Sequence, residues 1–125
     1  MVASAAVLLV CSGVFGQNGG KAEPNRIQFA AGKSSIALTG TLSNSQEMEY
    51  VFAAKKGQTV TVKMSNTRLF DYRVFNLDAD FETEFESSPV STFELPETSE
   101  YFLFVRKKMV RKPSRARFSL TLTIK

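Results

Sequence analysis

The chain has no histidine and a single cysteine, Cys11, in 125 residues. Without imidazole there is no Ser-His-Asp or Cys-His relay and no histidine-ligated zinc site. Cys11 falls inside an uncharged apolar run at residues 2–16. If that run is cleaved, the remaining chain has no disulfide, no thiol nucleophile and no soft metal ligand. The run is also too short to span a bilayer, which takes roughly 20 helical residues. It matches the apolar region of a secretory signal peptide, with the small Gly16 and Val14 placed for cleavage before Gln17. The expected organisation is a signal peptide at 1–16, a polar Gly- and Pro-containing linker at 17–25 and one domain at 26–125. The expected destination is the periplasm or the exterior. No enzyme, cofactor or metal ligand set is expected.

No segment has a convincing helical period. What is present instead is alternation. Ile36, Leu38 and Leu42 alternate with small residues, and Val60, Val62 and Met64 alternate with Thr59, Thr61 and Lys63. Met48, Tyr50 and Phe52 are spaced by two, and so are Phe118, Leu120, Leu122 and Ile124. Period two puts one face of each strand in a core and the other in water. Residues 101–105 are apolar on both faces, as a central strand would be. Turn residues separate the runs, notably Lys55, Lys56, Gly57 and Gln58, which read as a hairpin turn. The pattern predicts an all-β domain: a single antiparallel β-sandwich, jelly-roll-like, of about eight strands. The predicted core contains Phe52, Val60, Val62, Phe102, Phe104, Leu120 and Leu122.

Charge is concentrated in two places. Asp78, Asp80, Glu82, Glu84 and Glu86 alternate with Ala79, Phe81, Thr83 and Phe85. In an extended chain the five carboxylates share one face. Such a face offers hard oxygen ligands for calcium or a glycosidase-type carboxylate pair. The lack of a bend glycine and the solvation of five neighbouring carboxylates favour a charged edge strand, which discourages unwanted pairing. The second place is residues 106–117, where Arg106, Lys107, Lys108, Arg111, Lys112, Arg115 and Arg117 supply seven of the sixteen basic residues. This stretch lies between two strong strand patterns and is predicted to be a connection of about ten residues. Seven cations in twelve positions repel one another, so the arrangement costs stability unless an anion offsets it.

Several segments together resemble the periplasmic inhibitors of g-type lysozyme, within a broader class of secreted β-sandwich accessory domains. They are the G-K-S-S at 32–35, the Y-V-F-A-A-K-K-G-Q-T-V-T-V at 50–62, Ser65 with Asn66, Leu95 with Pro96, Tyr101, Val105 and the final Ile124 and Lys125. The resemblance implies a β-sandwich whose protein partner is g-type lysozyme. It also implies a binding loop before the last strand, with two arginines four residues apart and a nearby tyrosine. Counting back from the last strand, the arginine positions fall on Lys107 and Arg111, and the tyrosine position on Ser45. Lysine lacks the planar, two-pronged carboxylate contact of arginine. The partner-binding set expected on this basis is Arg106, Lys107, Lys108, Arg111, Lys112, Arg115 and Ser45.

Lysozymes cut glycan with carboxylates in a cleft, to which a basic loop is complementary. A different class of function, an extracellular module that binds lipopolysaccharide or another polyanion, uses the same charge. Nucleic acid fits less well, because export separates the chain from it and no aromatic residue interleaves the cations.

Overall fold

The structure, a computed structural model, describes residues 25–125. The expected signal peptide, Cys11 and nearly all of the expected linker lie outside the described residues. Asn25, the last residue of that linker, already sits in a strand.

The described strands are β1 (Asn25–Arg26), β2 (Ser35–Ser43), β3 (Glu47–Ala54), β4 (Thr59–Met64), β5 (Phe70–Asn76), β6 (Phe81–Glu82), β7 (Val90–Glu94), β8 (Ser99–Lys107) and β9 (Arg115–Ile124). They form two layers: a four-stranded sheet in the order β2-β9-β4-β7, and a five-stranded sheet in the order β1-β3-β8-β5-β6. Setting β1 aside, these are the strand orders of an eight-stranded jelly roll. Apart from the parallel β1–β3 pair, the ladders are antiparallel. Consecutive strands fall mostly in opposite sheets. The tight turn at Gly57, whose φ is +88°, therefore links β3 of one sheet to β4 of the other. It is an arch between layers and not the hairpin turn expected from its sequence.

The alternating positions meet between the layers. Val60, Val62, Phe118, Leu120 and Leu122 on one sheet face Phe52, Phe70, Tyr72, Tyr101, Leu103 and Val105 on the other, all buried. Each such side chain stabilises the fold by about 1.5–3 kcal/mol relative to exposure. Phe70 meets Phe118 edge-on across the layers, at 5.5 Å between ring centres. Gly40 makes room there: a Cβ at this position would lie 2.9 Å from a Phe118 ring carbon.

β8 is the central strand of its sheet, as expected, but its phase differs from the expectation. Tyr101, Leu103 and Val105 point inward, and Phe102 and Phe104 point outward and are half-buried. The apolar run has no alternation of its own, so the inward set is decided by register with β3 and β5. Phe102 stacks on Phe75 at 5.2 Å, and Phe104 meets the same ring edge-on at 4.9 Å. These aromatics form a small apolar patch on the outer face.

The acidic stretch does lie at a sheet edge, but not with five carboxylates in one row. Asp78 and Asp80 belong to a turn in which Asp80 takes a φ of +53°. Glu82 then pairs with Phe75, and Glu86 with Tyr72. Four steps on this segment thus match three on β5, which is a β-bulge. The extra residue changes the facing of everything after it. Phe81 turns inward to Phe93 and Tyr101, and Phe85 turns outward over Arg73 and Arg106.

Candidate functional site

The basic stretch separates in space. Because β8 runs on through Lys107 and β9 starts at Arg115, the connection is residues 108–114, shorter than the sequence suggests. Arg106 and Lys107 belong to a strand, where successive side chains take opposite faces.

Arg106 takes the outer face of the five-stranded sheet. Its guanidinium donates to Asp71 from Nε at 3.1 Å and from Nη2 at 2.9 Å. The ring of Phe85 covers it at 3.7 Å. The hydrogen bond to Asp71 pushes the Arg106 pKa upward, opposed in part by desolvation, so the group stays charged.

Lys107 takes the inner face and is 1% exposed. Its Nζ donates to Asn44 Oδ1 at 2.8 Å and to the Lys108 carbonyl at 2.9 Å. No carboxylate lies within ion-pair distance of it among the described residues. Lys107 was expected to touch a partner. Here it is an internal brace whose ammonium is solvated by neutral oxygens. Replacing it by arginine would ask a site shaped for one ammonium to hold a planar fork.

Asn44 is the hub of this end of the sandwich. Besides accepting from Lys107, its amide donates to the Val110 carbonyl at 2.6 Å, and its backbone N–H donates to the Ser114 carbonyl at 2.8 Å. Lys108 anchors the other side, with its backbone N–H on the Leu69 carbonyl at 2.8 Å and its Nζ on the Thr67 carbonyl at 3.0 Å. Val110 tucks against the core. The loop is therefore tied down at 107, 108, 110 and 114, and Met109, Arg111, Lys112 and Pro113 project into solvent. Met109 is 73% exposed.

Ser45 is expected near this loop from the resemblance alone, and the fold brings it there. It sits in the turn between β2 and β3 with a φ of +71°. Its hydroxyl donates to Met109 Sδ at 3.6 Å. Ser45, Arg106, Lys107, Lys108 and Met109 line an open hollow of about 340 Å³. Arg115 and Arg117 are not part of it. They are exposed on the outer face of the four-stranded sheet, the opposite side from Arg106. Arg111, Lys112 and Arg115 form no ion pair among the described residues.

Two participants were not legible from sequence. Asn44 reads as an ordinary loop residue, although an Asn-Ser pair at a turn is a signal for local side-chain bonding. Met109 reads as a stray apolar residue among cations, and only its exposure sets it apart. Among the described residues, no group of three or more carboxylates is arranged to hold a metal ion. No described helix is long and apolar enough to cross a membrane.

No protein-family model matches the chain, and no curated protein does either. Solved structures do match. The chain is similar to Aeromonas hydrophila PliG, a periplasmic lysozyme inhibitor of g-type lysozyme, with 25% identity and a TM-score of 0.67, over 82% of this chain and 96% of that one. A mutant of the Escherichia coli PliG is 26% identical with the same TM-score, over 82% and 97%. The pre-peptidase C-terminal domain of a Bacillus anthracis collagenase shares the fold at 14% identity and a TM-score of 0.57, over 86% and 100%. The likeness to the PliG inhibitors thus covers 82% of this chain and nearly the full length of theirs.

Proposed function

We propose that the chain is a periplasmic inhibitor of g-type lysozyme that binds through the end of the sandwich carrying residues 108–114. Two things support the family part of this reading: similarity to PliG structures at 25–26% identity, and its coverage of nearly their full length. The single observation that carries the choice of surface is the loop itself. Arg111 and Lys112 are exposed and unpaired among the described residues, on a segment held by hydrogen bonds from Asn44 and Lys108. A cation presented on a fixed support loses little conformational freedom on binding, so more of its attraction to a carboxylate appears as affinity.

In this reading Arg111 is the main anchor in the acidic cleft, and Lys112 and Lys108 add long-range attraction. Met109 supplies an apolar contact beside Ser45. Lys107 and Asn44 hold the loop from beneath. Charge-assisted hydrogen bonds to cleft carboxylates close the cleft to glycan. No chemistry is required of the inhibitor.

The test is a lysis assay with the purified chain against g-, c- and i-type lysozymes. Selective inhibition of the g-type enzyme is the expected result. Failure to inhibit any of the three overturns the proposal. So does weak, equal inhibition that disappears at about 0.5 M salt, where screening acts within a few ångströms. That last outcome would mark the loop as a diffuse polyanion patch.

A further inference from the structure

The described sandwich has four sheet edges, and three are guarded. β1 and β6 are two residues long and carry Arg26 and Glu82. β7 ends in Glu94 and lies against the acidic segment, with Phe93 on Phe81 at 5.8 Å and Ser91 Oγ 2.7 Å from the Tyr72 hydroxyl. β2 is different. It is nine residues long, S-I-A-L-T-G-T-L-S, with no charge, no proline and no bulge against β9. An edge with none of these protections is a template for a further strand.

Burial along β2 fits an edge that is incomplete. Leu42 is buried, but Ile36 and Leu38, on the same inward side, remain half-exposed. No strand other than β9 pairs with β2 among the described residues.

We propose that β2 is a self-association edge, at which two copies of the chain pair antiparallel about a two-fold axis through Thr39. The occupant is chosen by complementarity along the strand. This pairing sets Ser35 opposite Ser43, Ile36 opposite Leu42, Ala37 opposite Thr41, Leu38 opposite Gly40 and Thr39 opposite its own copy. Apolar residues meet on the inward face and small uncharged residues on the outward face. The large Leu38 falls beside a residue with no side chain. The contact is isologous and closes after two copies, joining the two four-stranded sheets into one continuous sheet.

Charge selects the antiparallel sense. Ser43 leads into Asn44 and the basic end of the domain. Antiparallel pairing sends the two basic ends in opposite directions, about 30 Å apart for nine residues at about 3.4 Å each. A parallel arrangement would bring Arg111 and Lys112 of both copies together. The dimer leaves both loops free, so on the reading given under Proposed function each dimer binds two enzymes.

The experiment is sedimentation velocity on the full chain from about 5 to about 500 µM, since association depends on protomer concentration. A monomer–dimer equilibrium is expected. Thr39→Lys and Thr39→Glu each place like charges face to face on the axis, and each alone should weaken dimerisation about tenfold or more. An equimolar mixture of the two should dimerise again. Circular dichroism confirms that each variant folds. For the unaltered chain, amide exchange over residues 36–42 should slow as concentration rises. A monomer throughout the range, growth into larger polymers, or a dimer untouched by Thr39→Lys overturns the proposal. Inhibition per chain should be unchanged in Thr39→Lys, so failure of the dimer and failure of the inhibitor reading register in separate measurements.

Discussion

Asp71 stands directly opposite Arg106 across the β5–β8 ladder, and both of its carboxylate oxygens accept from the guanidinium. The Asp71 side chain is 10% exposed and that of Arg106 is 39% exposed, with Phe85 over it. A two-pronged pair of this kind is among the stronger polar contacts, but exposure of the arginine discounts it. Asp71→Ala is expected to cost about 1–2 kcal/mol in urea unfolding, because it also strands Arg106 beneath Phe85. A double-mutant cycle with Arg106→Met should return a favourable coupling. A coupling of zero would mean that the pair is a bystander.

Neighbouring residues on β8 should differ sharply. Leu103 is fully buried between the layers, and its replacement by alanine is expected to cost about 2–5 kcal/mol. Phe104 lies on the outer face against Phe75, so Phe104→Ala leaves a site that solvent can fill. Its cost should be smaller, about 1–2 kcal/mol. The order of the two losses in chemical denaturation decides whether the register of β8 is right.

The loop offers a contrast between contact and support. Arg111→Ala is expected to weaken inhibition of g-type lysozyme by about 30-fold or more, since a cleft carboxylate is left unpaired. Arg26→Ala, paired with Glu100 far along the chain, should change little. Asn44→Ala removes no charge but releases the Val110 carbonyl and the Lys107 ammonium. It should also weaken inhibition, with faster amide exchange at Val110. Full inhibition by Asn44→Ala would show that the loop needs no anchoring.

Alkaline stability should depend on a buried phenol. Burial pushes the Tyr50 pKa up to about 12 from its ordinary value of 10.0. Above about pH 10 the unfolded chain gives up this proton while the folded one keeps it, so unfolding gains as pH rises. The contribution is whole below pH 10 and is lost by about pH 12, amounting to about 3 kcal/mol. Burial raises Tyr72 as well, and this acts in the same direction. Tyr50→Phe should flatten the fall in melting temperature between pH 10 and 12. An identical fall in the variant would place the loss elsewhere.

Much of the sandwich is written in its side-chain period. β4 and β9 alternate so regularly between Val60 or Leu120 and their polar neighbours that only one face of each can be buried. The lack of histidine, and the single cysteine in the apolar run, limit the chemistry open to the chain before any fold is known. Tertiary structure decided the rest, because these outcomes depend on partners remote in sequence. β8 is apolar on both faces, so pairing with β3 and β5 determined that Leu103 goes in and Phe104 out. One extra residue opposite β5 turned Phe85 onto Arg106, which no local pattern marks. The run of seven cations looks continuous along the chain. The pleat sends Arg106 to one face, Lys107 to the interior and Arg115 to the opposite face, leaving Lys108, Arg111 and Lys112 at the end of the sandwich. Charge density along a sequence becomes charge density in space only where the backbone does not alternate, and here that holds for residues 108–114 alone.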